Sequence, residues 1–216
     1  MVGGMVSAQE DPEWTKTAGF LRIVNVVAVG EGNLNLKMAG KSYWPKGFKL
    51  GERTGGFRMR SGKIAFMLEK EGCTTSTRSI EVVKGETQTL VCYADPLRDE
   101  SGRIVEWELK IARLKQREPE QGLHFTIISF CEEQELELEV LETVSEVSQM
   151  VTVAKMKARR VKIEGGLVSV HIMHRDKVVE RLATDQKGNY VVMLYTDAEG
   201  AQKGVTFYDS KFVLSN

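Results

Sequence analysis

Two stretches of this chain, residues 20–95 and 123–197, run through the same order of events. Each opens on a dense apolar strand and continues into an alternating strand and a basic stretch. Each then passes a glycine turn into a second hydrophobic strand and closes on an aromatic strand ending in Tyr-x-Asp. A chain that writes one strand order twice is expected to fold as two similar units. The register supports this. Leu34, Leu36 and Met38 match Leu136, Leu138 and Val140 at an offset of 102. Val91-Cys92-Tyr93-Ala94-Asp95 matches Met193-Leu194-Tyr195-Thr196-Asp197 at the same offset of 102. Between them, Arg60 to Phe66 aligns with Glu164 to Val170 at an offset of 104. A period of about 100 residues is too long for a solenoid and fits a duplicated domain.

The repeated unit reads as β throughout. Phe20 to Val29 is rich in β-branched residues and has the composition of a buried strand. Leu34 to Met38, Lys63 to Leu68 and Thr87 to Tyr93 follow as strands, with turn residues between them. Val105 to Arg113 alternates with period two, putting Val105, Trp107, Leu109 and Ile111 on one side. In the second half, Leu123 to Cys131, Glu132 to Glu139, Val168 to Met173 and Tyr190 to Tyr195 read the same way. Ser145 to Arg160 mixes helical and strand spacing. Short strands separated by turns every 8–12 residues or so point to a sandwich or barrel. The expected fold is all-β: two tandem immunoglobulin-like antiparallel β-sandwich domains from an internal duplication.

The expected organisation is a leader over residues 1–18, a first sandwich over 19–118 and a second over 119–216. Glu118-Pro119-Glu120-Gln121-Gly122 is the linker. Within the leader, Val6-Ser7-Ala8 followed by Gln9 resembles the end of a secretory signal peptide. A plain unstructured tail is the alternative. No apolar run approaches the roughly 20 residues that span a bilayer. Lys+Arg and Asp+Glu stand at 30 each, so the basic excess typical of nucleic-acid binders is absent from the whole-chain balance. Three cysteines, Cys73, Cys92 and Cys131, cannot all pair within one chain, and no zinc-type spacing joins them. Buried free thiols are expected, with a Cys73–Cys92 bridge as the alternative in an exported protein.

Few residues carry a chemical signature. His171 and His174 lie three apart in a β-rich run, which puts them on opposite faces of a strand. Ser129 and Cys131 have no nucleophile elbow, and the glycines of Gly51 to Gly56 lack the setting of a phosphate loop. No catalytic residue, metal ligand or cofactor is therefore assigned. Glu133, Glu135, Glu137 and Glu139 share one strand face, and like charges repel. A cationic strand drawn from Lys155, Lys157, Arg159 and Arg160 is expected opposite, with a divalent-cation site as the alternative. The binding candidate is Tyr43-Trp44 with the cations Lys46 and Arg53. Aromatic rings beside charged groups recur at recognition surfaces, sugar sites among them. A tryptophan closing one end of the sandwich is the competing reading.

Leu21-Arg22-Ile23-Val24-Asn25-Val26, the strand Leu34 to Gly40 and the turn Arg60-Ser61-Gly62 together resemble a family of exported bacterial tandem β-sandwich domains of unknown function. That family is distantly similar to the periplasmic alginate O-acetylation accessory protein. The likeness covers residues 20–95 well and 123–197 poorly, since Ser129 replaces Asn25 and Glu142 stands at the place of Gly40. The resemblance implies a periplasmic or secreted, non-enzymatic binding or assembly module of the cell envelope. Its partners would be protein or glycan. An accessory subunit of a polysaccharide-modifying enzyme system, or a structural envelope protein, is the alternative.

Overall fold

The computed structural model describes residues 17–116, 121–164, 168–197 and 199–209. Among these residues there are sixteen strands and no α-helix. The first eight are β1 (Ala18–Asn25), β2 (Glu31–Met38), β3 (Lys41–Ser42), β4 (Phe57–Arg60), β5 (Gly62–Glu71), β6 (Ser76–Val82), β7 (Thr87–Arg98) and β8 (Ile104–Lys115). The second eight are β9 (Leu123–Ser129), β10 (Glu135–Glu142), β11 (Val147–Ala154), β12 (Ala158–Ile163), β13 (Val168–His174), β14 (Lys177–Thr184), β15 (Gly188–Thr196) and β16 (Gln202–Tyr208). Residues 1–16 of the expected leader and the expected boundary at Pro119 lie outside the described residues. Ala18 already belongs to β1 and is fully buried.

The topology is written twice. Sheets β4-β1-β7-β8 and β3-β2-β5-β6 form the first sandwich; β12-β9-β15-β16 and β11-β10-β13-β14 form the second. Strand for strand, each position in one has its counterpart eight elements later in the other. Hydrogen bonds repeat as well: the amide of Val26 donates to the carbonyl of Cys92, and the amide of Phe130 to that of Leu194. The structure is that of two tandem β-sandwiches. One feature differs from a purely antiparallel expectation: β1 pairs with β7, and β9 with β15, in parallel. The ambiguous segment from Ser145 to Arg160 resolves into β11 and β12.

The apolar runs at the start of each copy have a common cause. Leu21, Ile23 and Val27 face the core of the first sandwich, whereas Val24 and Val26 face the second. Phe125 and Ile127 face the core of the second sandwich, whereas Ile128 and Phe130 face the first. Sheets β4-β1-β7-β8 and β12-β9-β15-β16 thus pack against each other through a third apolar layer that includes Val91, Val191, Met193 and Phe207. A central strand covered on both faces needs apolar residues at successive positions rather than alternate ones. Arg22 is a charged member of this layer. It is 3% exposed, lies 4.5 Å from the Phe207 ring centroid and sits 3.6 Å from Asp209. Burial lowers its pKa, and Asp209 works against that shift.

The local motifs at the ends of β1 and β9 also correspond. Asn25 is 1% exposed. Its Nδ2 donates to the carbonyls of Phe48 (3.0 Å) and Lys49 (3.1 Å), and its Oδ1 accepts from the amide of Val27 (2.9 Å). Ser129, its counterpart, keeps only the last of these: its Oγ accepts from the amide of Cys131 at 3.2 Å. Glu142, where the first copy has Gly40, is 5% exposed and takes the amides of Val144 and Ser145 on its carboxylate. A tight glycine turn in one copy is replaced by a longer, side-chain-capped turn in the other.

Candidate functional site

The residues singled out from sequence do not all converge. Trp44 packs its ring on Phe48 (centroids 4.8 Å apart) and Phe57 (5.5 Å), closing one end of the first core. Tyr43 beside it is 53% exposed. Lys46 is exposed, and its carbonyl accepts from Asn33 Nδ2 at 2.8 Å. Arg53 turns to the layer between the sandwiches, where its guanidinium lies 5.9 Å from the Phe207 ring centroid. Tyr43 and Trp44 therefore form one cluster, and Arg53 belongs to another.

The acidic strand also differs from expectation. The residues opposite Glu135, Glu137 and Glu139 on β11 are Ala154, Thr152 and Met150, not cations. Lys155 is instead drawn across the sandwich boundary, 3.1 Å from Asp95 of β7. Asp95 also holds Lys110 at 3.1 Å. Burial by itself would push the Asp95 carboxyl up, but hydrogen bonds from Lys155 and Lys110 outweigh it and hold the group below the ordinary range. Among the described residues, no group of three or more His, Cys, Asp or Glu side chains is arranged to hold a metal ion. His174 is buried, with Nδ1 2.9 Å from the carbonyl of Glu137, while His171 lies on the other face of β13. All three cysteines are free. Burial pushes the Cys92 thiol up to about 12, so it stays protonated at neutral pH.

A recessed site does exist where the two copies meet. A cleft of about 460 Å³ is lined from the first sandwich by Val26, Ala28, Val29, Gly30, Ala94 and Trp107. The second contributes Phe130, Glu132, Thr196, Asp197 and Gly200. These are largely the same positions taken once from each copy. Val26 corresponds to Phe130, Ala28 to Glu132 and Ala94 to Thr196. The first copy supplies small apolar walls and the Trp107 ring, and the second supplies the Phe130 ring, a hydroxyl and carboxylates.

The cleft has its shape because one hairpin is longer in the first copy. Asp99 and Asp197 anchor the same bonds: the Gly102 amide donates to the Asp99 carbonyl and the Gly200 amide to the Asp197 carbonyl. The amides of Ser101 and Arg103 donate to Asp99 Oδ1, and those of Glu199 and Ala201 donate to Asp197 Oδ1. The turns are 98 residues apart, whereas the strands leading into them are 102 apart. The β7 arm therefore runs four residues further to its turn than the β15 arm does, and the returning β8 (Ile104–Lys115) is longer than β16 (Gln202–Tyr208) as well. The extra length carries Trp107 to the cleft and lets Arg98 reach Glu132 of the other sandwich at 3.0 Å. The Tyr-x-Asp motifs that match in sequence have parted in role. Asp197 makes the turn, while Asp95 lies within a strand and ties the sandwiches together. Strand alternation put Trp107 on one side of its strand with Leu109 and Ile111, and its neighbours in the cleft come from four separate segments.

The far edges of the two sandwiches diverge too. In the second, Glu180 of β14 packs over Gly204 of β16, whose Cβ, if present, would meet the Glu180 side chain at 2.6 Å. Burial raises the Glu180 carboxyl above its usual 4.5, partly offset by the Arg181 amide. A raised acid pKa weakens the folded state once the group ionises. That cost is absent below the unfolded value and fully present above the folded one, so this contribution falls as pH rises. Glu180→Gln is expected to raise the thermal midpoint at about pH 8 and leave it unchanged near pH 3. Equal midpoints at both pH values would refute this. No protein-family model and no curated protein matches the chain.

Proposed function

We propose that this chain is a non-enzymatic binding or assembly module of the cell envelope, periplasmic or secreted, and that the cleft between its sandwiches receives a glycan. The observation that carries this reading is the cleft itself. Trp107 and Phe130 line one recess together with Glu132, Thr196 and Asp197. Aromatic faces pack against the C–H faces of sugar rings, and carboxylate and hydroxyl oxygens take their hydroxyl groups. A duplicated scaffold whose polar surface has diverged at the junction suits recognition, because the framework stays fixed while the lining changes.

The test is calorimetric titration against a panel of hexose and hexosamine oligosaccharides. Trp107→Ala is expected to weaken the bound glycan by more than about tenfold, the order of a lost stacking contact. Trp44→Ala should bind as the unaltered protein does. The reverse pattern would move the site to Tyr43–Trp44 and sink the cleft reading. A second reading, an accessory subunit of a polysaccharide-modifying enzyme system, is favoured by the hairpin tip. There Leu97 and Val105 are 40% and 59% exposed beside the cleft, where a protein partner would cover them. Export is tested by fractionating the native host, and a cytoplasmic location would overturn it.

A further inference from the structure

The edge that Glu180 closes in the second sandwich is open in the first. Between β6 and β8 lies a groove of about 530 Å³ whose lining includes Lys63, Arg78, Lys110, Arg113 and a single carboxylate, Glu81. Lys110 is engaged by Asp95 and Glu108, and Arg78 lies 3.9 Å from Glu108. Lys63 and Arg113 face the groove without a carboxylate partner among the described residues. Ile111 and Tyr93 add an apolar floor. Four cations around apolar side chains form a surface for an anionic, partly apolar partner.

A surface of that description is present on the same chain. Glu135, Glu137 and Glu139 project from the outer sheet of the second sandwich, and none of the three has an ion-pair partner among the described residues. Met150 and Met173 flank Glu139 on either side in the ladder, and Met150 is 68% exposed. The segregation extends to whole copies. Residues 1–118 hold 19 Lys+Arg against 15 Asp+Glu, a net +4; residues 119–216 hold 11 against 15, a net −4. A chain neutral overall is thus polar end to end, and opposite ends of two molecules attract.

We propose that the groove between β6 and β8 is a docking site for a second copy of this chain, which inserts the Glu135–Glu139 face of its second sandwich. The contact joins two different surfaces, so it either closes reciprocally into a dimer or propagates into larger assemblies. It is independent of the glycan reading, because its residues lie outside the cleft.

Sedimentation velocity of the full chain tests it. The unaltered protein is expected to self-associate at about 50 mM NaCl and dissociate at about 500 mM, where surface charges are screened. Arg78→Glu with Arg113→Glu reverses the groove, and Glu135→Lys with Glu137→Lys reverses the inserted face. All four side chains are exposed, so the fold should persist, which circular dichroism checks. Each double variant alone should associate at least about tenfold more weakly, since like charges then meet. An equimolar mixture of the two should associate again, the acidic groove now taking the basic face. A protein that stays monomeric at low salt, or that associates equally well when either face is reversed, would overturn the proposal. So would a mixture that remains monomeric. Binding of added polyglutamate or heparin by a strictly monomeric chain would assign the groove to a foreign polyanion and overturn self-docking.

Discussion

Gly30→Ala is expected to lower the thermal midpoint by about 10 °C, whereas Gly32→Ala, two residues away, should lower it by about 3–6 °C. Both glycines have positive φ, 79° and 67°, so an alanine at either costs about 1–2 kcal/mol in backbone strain. They differ in what surrounds them. A Cβ on Gly30 would stand 2.2 Å from the carbonyl oxygen of Glu71 and 3.2 Å from Cys73 Sγ, and one on Gly32 would meet nothing within 4 Å. The Glu71 carbonyl is backbone in the neighbouring hairpin and cannot swing aside as a side chain would, so overpacking adds to strain. Together the two effects reach about 3–4 kcal/mol at Gly30. Gly30 also lines the cleft, so displacing its turn should disturb the site as well as the fold. Thermal unfolding followed by circular dichroism measures both variants, and equal losses would show that close packing against β5 is not the constraint.

The second large effect is expected at Asn25. Asn25→Ala leaves the buried Val27 amide without its side-chain partner, an orphan that costs about 1–3 kcal/mol, and takes one of two donors from each of the Phe48 and Lys49 carbonyls, which keep the Leu34 and Glu52 amides. A loss of about 3 kcal/mol is expected from that orphan together with the two lost carbonyl bonds. The backbone of that loop is tied to the same residue, since the Gly51 amide donates to the Asn25 carbonyl and the Asn25 amide to the Glu52 carbonyl. Asn25→Ser should lose about half as much, because serine keeps the bond to Val27, as Ser129 does with Cys131 in the second copy. Urea denaturation gives both values. A serine variant as unstable as the alanine variant would mean that the two carbonyl bonds, rather than the local turn, carry the whole effect.

Asn25 also shows how much of this fold is legible in the chain. Its replacement by Ser129 looks like a weakness in the repeat, yet both side chains accept from the amide two residues on. The strands themselves are legible because alternation and turn chemistry are local. The parallel pairing of β1 with β7 is not, since nothing local distinguishes it from an antiparallel partner. The packing of one sandwich on the other left a trace in the dense, non-alternating apolar residues of Phe20–Val29 and Leu123–Cys131, which a one-sided sheet would not need. The Glu ladder misled for a physical reason. Repulsion between like charges calls for a nearby cation only where water is excluded, and Glu135 and Glu137 are exposed.

The cleft was hidden because no single segment contains it. Trp107, Phe130, Thr196 and Asp197 become neighbours only once the two copies are laid face to face. One trace was present. The Asp-x-x-Gly turns repeat at 98 residues while the strands before them repeat at 102, and that mismatch marks the hairpin that grew. Tyr43 and Trp44 drew attention as an aromatic pair, but Trp44 spends much of its surface on Phe48 and Phe57.

The most direct measurement is a two-dimensional amide and indole NMR titration of the isotopically labelled chain with the oligosaccharide panel. The expected result is a set of shifts confined to the Trp107 indole and the amides of Phe130, Glu132, Thr196 and Asp197, with the Trp44 indole unmoved. Shifts centred on Tyr43 and Trp44, or a bound glycan that leaves Trp107 unchanged, would contradict the placement of the site between the two copies.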